Sequence, residues 1–275
     1  MEQLVLPVKS QISYIRKLPI YEKEKPFQIL FDIPPGVGDQ RRTNIEFESR
    51  EQSFTNIRDR LANFTLDKNG FEICSGPLTW SSGELADQQV IQDTYLPEVE
   101  RILKRNVTGG FDKVFFFDWR LRDSQLPTEP SITDMNDLSV WLRPVSYVHI
   151  DHAPRAVVSR TRLLLGDEAD FLLRGRVRVI NVWRPLDHPV EDYPLAFCDA
   201  STLRDEDLVE CDHVRRKYKG ATLFPNHHPD QKFYFLRDQQ QEAVTLLKIF
   251  DSDTSVVARA ETTLFGGMTH TRARY

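Results

Sequence analysis

A chain of 275 residues, with 40% hydrophobic and 28% charged side chains, can bury a sizeable core as one large domain or two intimate ones. Its net charge of −5, with acidic and basic residues interspersed, argues against nucleic acid or an anionic membrane as a partner. Three scattered cysteines (Cys74, Cys198, Cys211) build no disulfide framework, and neither a signal-peptide core nor an apolar run of about 18 residues occurs. The expectation is a soluble cytoplasmic protein.

In chain order, residues 1 to 45 read as an extended lead broken by Pro26, Pro34 and Pro35. Ser53 to Phe64 carries Phe54, Ile57, Leu61 and Phe64 at helical spacing, which predicts an amphipathic helix. The turn signal Asp67-Lys-Asn-Gly70 leads into a short strand, Phe71 to Cys74. Asp87 to Asn106 predicts a second helix interrupted near Pro97. Lys113 to Arg122, with Val114, Phe115, Phe116, Phe117 and Trp119, is rich in β-formers and reads as a buried strand.

From about Val145 the pattern turns mostly to strands: Tyr147–Asp151, Val177–Arg184, Leu195–Asp199, Ala221–Pro225, Lys232–Leu236, Thr245–Asp251 and Ala258–Phe265. Arg155 to Arg174 is the helical exception. Many short strands at near-regular spacing predict a mainly β, α+β protein: a jelly roll over residues 145–275, with residues 1–140 as a supporting region of the same single domain.

Tyr147-Val-His-Ile-Asp-His-Ala-Pro154 holds the most chemistry. In a strand, residues two apart share a face, so His149 and Asp151 can converge on one ion, while His152 points the other way. A His-x-Asp pair with one distant histidine is the facial triad that holds Fe(II) and leaves coordination positions open for co-substrate and O2. The bland reading is a structural pair in which the carboxylate fixes an imidazole tautomer. Arg184 reads equally as an anion binder or as the partner of a carboxylate such as Asp187 or Asp192. His227-His228 reads as a turn that can pick up metal adventitiously, and the cysteines as core packing. Trp119, Trp141, Phe233, Tyr234 and Phe235 are candidates to line an apolar pocket, although the core is the commoner fate of such residues.

Several segments together resemble the fungal and bacterial hydroxylase/desaturase family, which includes the methoxylase component of cephamycin biosynthesis. They are Thr94-Tyr-Leu-Pro-Glu-Val-Glu100, Val148-His-Ile-Asp151, Ile180-Asn-Val-Trp-Arg-Pro-Leu186, Pro194-Leu-Ala-Phe-Cys-Asp-Ala200, Phe233-Tyr-Phe235 and Glu242-Ala-Val-Thr-Leu-Leu-Lys-Ile-Phe-Asp-Ser252. The resemblance implies a double-stranded β-helix that uses Fe(II) and 2-oxoglutarate, with His149 and Asp151 as the first two metal ligands. It also implies a distal histidine in a Thr-Pro-His-Thr-Ala-Phe-like stretch. Here Ala260-Glu-Thr-Thr-Leu-Phe265 puts Thr262 in that place. His270 is a possible substitute ligand only if the last strand is rearranged. Arg272, or Arg274, is placed for the arginine that the family uses on the 2-oxoglutarate carboxylate.

A hydroxyl is a far poorer Fe(II) ligand than imidazole. The preferred expectation is therefore a tailoring enzyme of natural-product biosynthesis that needs no cofactor and runs a non-redox cyclisation, cycloaddition or isomerisation. His149, Asp151, Thr262 and Arg184 would then act as acid, base or hydrogen-bond donor. The alternative is an active Fe(II)/2-oxoglutarate dioxygenase, or a non-catalytic subunit that stabilises an active paralogue. Either way the expected partner is a largely apolar small molecule, with a homodimer or a paralogue as the possible protein partner.

Overall fold

The computed structural model describes residues 7–36, 38–81, 83–126, 138, 140–216 and 218–256, with the backbone alone at 86 and 265–267. Thr262, His270, Arg272, Arg274 and most of the predicted strand Ala258–Phe265 lie outside the described residues. Among the described residues no helix is long and apolar enough to cross a membrane.

Among the described residues, eleven strands make three curled sheets: β1 (Val8–Ile15), β2 (Phe27–Ile29), β3 (Phe47–Asn56), β4 (Phe71–Ser75), β5 (Arg178–Trp183), β6 (Leu195–Cys198), β7 (Leu208–Val214), β8 (Lys219–Pro225), β9 (Phe233–Phe235), β10 (Ala243–Asp251) and β11 (Phe265–Gly267). The sheet orders are β1-β3-β9-β6-β11, β4-β10-β5 and β2-β7-β8. Most pairings are antiparallel, but β2 runs parallel to β7 and β3 to β9. Strands from the first 75 residues thus enter all three sheets. The core between them is aromatic: Phe54, Phe71, Phe197, Phe233 and Phe235 are all buried.

The predicted helix over Ser53–Phe64 is instead the end of β3 followed by a 3-10 turn, Arg58–Asn63. Phe54 pairs with Val8 on one side and Phe233 on the other, so a two-sided sheet position overrides the local spacing. Gly70 closes the one-turn helix α1 (Leu66–Asn69) at φ 80°, a conformation open to glycine, and aims the chain into β4. The interrupted helix is α2 (Gln88–Val90), a wide π turn (Ile91–Tyr95) and α3 (Leu96–Asn106), with Pro97 in the first turn of α3. The Asp87 side chain caps α2 by accepting from the Gln89 N–H. Val99, Ile102 and Leu103 of α3 pack on Val244 and Leu246 of β10. Pro154 opens α4 (Pro154–Leu165), and α5 (Ala169–Leu172) follows.

Lys113 to Arg122 forms no sheet strand. The segment runs extended and half-buried, with one bridge from Arg122 to Leu142, and its aromatics face a cavity rather than a neighbouring strand. Strand β7 went unpredicted because its residues, Leu-Val-Glu-Cys-Asp-His-Val, alternate too weakly.

Candidate active site

Tyr147 to Asp151 is pinned between two strands. Val148 N–H donates to the Ser13 carbonyl at 2.9 Å, and Ile150 exchanges both backbone bonds with Leu223 of β8 at 2.8 and 3.0 Å. Val148 and Ile150 are fully buried in the core. Strand alternation then turns Tyr147, His149 and Asp151 to the opposite face, where they line a cavity of about 1930 Å3.

The His149 imidazole lies with Nδ1 3.1 Å from the Tyr147 carbonyl and Nε2 3.4 Å from Asp151 Oδ1. Since the carbonyl only accepts, Nδ1 carries the proton, and Nε2 and Oδ1 present themselves to one point. Asn181 Nδ2 of β5 donates to Asp151 Oδ2 at 2.6 Å, fixing the carboxylate plane. Burial by itself pushes the Asp151 carboxyl up, but hydrogen bonding and charge from His149, with help from His152 and Asn181, hold it well below the usual carboxylate range. His152 is a wall residue, tilted against Phe117 at 5.6 Å between ring centroids, and burial holds its imidazole neutral-leaning.

Phe116, Phe117, Trp119 and Trp141 line the same cavity. Phe233 and Phe235 are sealed in the core, and Tyr234 packs against it, so this half of the predicted pocket lining belongs to the packing. Arg120, Arg160 and Arg215 surround Asp118 on the cavity wall; burial raises that carboxyl and the arginine charges offset it. Arg122 is also in the wall, its Nη1 donating to the Arg143 carbonyl at 2.7 Å.

Arg184 has a different assignment. Its guanidinium is buried against Glu98 at 2.8 Å, bonds the Pro77 and Gln241 carbonyls, and lies over the Trp80 ring at 5.1 Å. Neither Asp187 nor Asp192 is the partner: Nη1 goes to Glu98, and Nε and Nη2 go to backbone carbonyls. The residue missed from sequence is His213 of β7, which shares the cavity wall with His149 and Asp151. Burial, then the positive charges of His149 and Arg215, push its pKa down to about 4, so it is neutral near pH 7. As the side chains stand, no three His, Cys, Asp or Glu among the described residues are grouped to hold a metal ion. The three thiols are free, and burial raises Cys198 and Cys211 to about 12, as core packing requires.

The family profile described as "Oxidoreductase/YMDC permease-like domain" matches residues 12–273. The chain belongs to this oxidoreductase family. Among curated relatives, the hydroxylase/desaturase CTB9 of Cercospora beticola is 30% identical over 81% of this chain and 71% of that protein. The Fe(II)/2-oxoglutarate-dependent dioxygenase nvfI of Aspergillus novofumigatus (strain IBT 16806) is 28% identical over 82% of this chain and 78% of that protein. The solved structure of the iron and alpha-ketoglutarate-dependent endoperoxidase NvfI superposes with TM-score 0.80 at 24% identity, covering 98% of this chain and 92% of that one. The fold is therefore the double-stranded β-helix, and the chain is an enzyme of the hydroxylase/desaturase family.

Proposed function

We propose that this enzyme is an Fe(II)- and 2-oxoglutarate-dependent oxygenase that tailors a largely apolar natural product. The observation that carries the reading is His149 Nε2 and Asp151 Oδ1, 3.4 Å apart and facing an aromatic-walled cavity. The preference for cofactor-free, non-redox chemistry formed on the sequence gains no support from the relatives, whose names are those of oxygenases and hydroxylase/desaturases.

The residues fit the ion in part. His149 and Asp151 supply one nitrogen and one carboxylate oxygen with fixed orientations, as two of three protein ligands should. With iron, 2-oxoglutarate and O2 bound, the site would oxidise a C–H bond of the substrate while 2-oxoglutarate becomes succinate and CO2. The protein's own contribution is positional. Phe116, Phe117, Trp119 and Trp141 exclude water and orient an apolar skeleton, and Arg122 and Arg215 offer positive charge to a dicarboxylate.

The specific observation favouring a repurposed, metal-independent barrel is Thr262 at the distal-histidine position. Anaerobic titration with Fe(II) and 2-oxoglutarate, followed at the visible charge-transfer band of the ternary complex, separates the two. The oxygenase reading expects the band, and succinate release once O2 is admitted. A missing band, together with substrate turnover that survives EDTA and strict anaerobiosis, would overturn it.

A further inference from the structure

Helix α4 turns Val157, Arg160, Thr161 and Leu164, spaced three and four apart, toward the cavity, and Arg160 is the charged member of that face. Two aromatic rings hold its guanidinium. The guanidinium carbon stands 4.7 Å from the Phe117 centroid and 5.6 Å from that of Tyr218. Tyr218 is fixed in turn, because its hydroxyl donates to the Ala156 carbonyl at 3.2 Å. The Arg160 side chain is therefore largely buried, with 18% of it exposed.

Ring faces attract the cation but leave the N–H groups at the guanidinium rim without acceptors. Among the described residues those groups donate no hydrogen bond. The ion-pair partner, Asp118 Oδ2, stands 3.8 Å from Nη2, beyond hydrogen-bond length. Asp118 turns instead to Arg120, whose Nη1 lies 2.9 Å from Oδ1. Arg120 and Arg215 bring further positive charge to the same corner, and both act on Asp118. Phe117 also touches His152, the residue after Asp151, with ring centroids 5.6 Å apart. The arginine corner thus adjoins the His149–Asp151 segment through one ring.

We propose that Arg160 anchors a carboxylate carried by the organic substrate, which makes that substrate an acid with an apolar body. The assignment rests on the oxygenase reading for the cavity being the substrate's. A forked guanidinium with free rim donors matches a carboxylate's two oxygens. The same chemistry is on offer in 2-oxoglutarate, but the rings that flank Arg160 suit a carboxylate mounted on apolar surface.

The test is fluorescence anisotropy of 1-pyrenebutyrate and 1-pyrenebutanol, which share one apolar body and differ in the carboxylate, on the full chain in EDTA. Without metal the outcome is independent of iron, so a failure here is distinct from a failure of the oxygenase reading, which the Fe(II) titration decides. The parent should bind pyrenebutyrate at least about 10-fold more tightly than pyrenebutanol, as charge-assisted hydrogen bonds imply. Arg160→Gln should erase that preference while moving the pyrenebutanol affinity by less than about 2-fold, which also shows the cavity intact. Asp118→Asn removes the competing carboxylate and should tighten pyrenebutyrate by about 3–10-fold, a gain that a damaged fold would not give. Excess 2-oxoglutarate should not displace pyrenebutyrate. Equal affinities in the parent, a preference that survives Arg160→Gln, no tightening in Asp118→Asn, or displacement by 2-oxoglutarate each overturns the assignment. Should Arg160→Gln lose both probes, the Asp118→Asn result decides.

Discussion

Two polar clusters lie within one molecule, and they answer to opposite rules. At Arg184 the guanidinium is tied on several sides, Nη1 to Glu98 and Nη2 to the Pro77 and Gln241 carbonyls over the Trp80 face, while Thr79 Oγ1 donates to the second Glu98 oxygen at 2.6 Å. Even Gly76 is fixed by this packing, since a Cβ there would lie 2.8 Å from both Ile102 and Val244. At the His149–Asp151 wall the pattern is looser: His213 Nε2 is buried with no hydrogen-bond partner among the described residues, on the wall of a cavity. Satisfied burial is what a structural ion pair needs. Polar groups left uncommitted are what a site needs, at some expense in stability.

The sharpest break of this contrast is at Arg184. Arg184→Ala strands the buried Glu98 carboxylate and should lower stability by about 3–5 kcal/mol, whereas His149→Ala should cost only about 1 kcal/mol. Urea unfolding of both variants checks this. Equal losses would mean that the His149 wall is structural too.

Acid should expose the second cluster. His213 has an ordinary pKa near 6.5 and a folded value of about 4. Between those values the unfolded chain takes up a proton that the folded chain refuses, so stability falls as pH falls through that window, by at most about 3 kcal/mol. Asp151 behaves differently: its depressed carboxyl contributes stability that is lost only below the ordinary carboxylate range. Unfolding of metal-free protein at pH 7 and pH 4.5 should therefore show a drop that His213→Gln flattens. A drop of the same size in His213→Gln would place the acid sensitivity elsewhere.

The smallest expected effect is at Asn181, whose side chain donates to Asp151 Oδ2. Asn181→Ala should weaken Co(II) binding by about 10–100-fold without changing the number of ions bound. Asn181→Asp should be worse than alanine, because a second carboxylate faces Asp151 and raises one of the two pKa values.

Much of this site was open to sequence reasoning. His149 and Asp151 follow from strand periodicity alone, and the helix break at Pro97 follows from a missing N–H. His213 was hidden because its strand has no clean alternation, and because the residues that define it, Thr222 and Asp151, come from two other segments. The Ser53–Phe64 reading failed for a related reason. Apolar spacing of three and four is compatible with a helix, and only the neighbours β1 and β9 reveal that Phe54 sits in a central strand.

By itself the sequence determined the periodic features: which residues alternate toward a core, where glycine and proline stop an element, and that an imidazole and a carboxylate share one face. These depend on neighbours along the chain and are written locally. The tertiary structure alone decided what each polar group meets. It committed Arg184 to Glu98, left His213 Nε2 without a hydrogen-bond partner among the described residues, and turned Phe116, Phe117 and Trp119 from an expected strand into a cavity wall. Whether a buried polar atom is satisfied depends on partners far away in sequence, and hydrogen bonds act over about 3 Å of space whatever the distance along the chain.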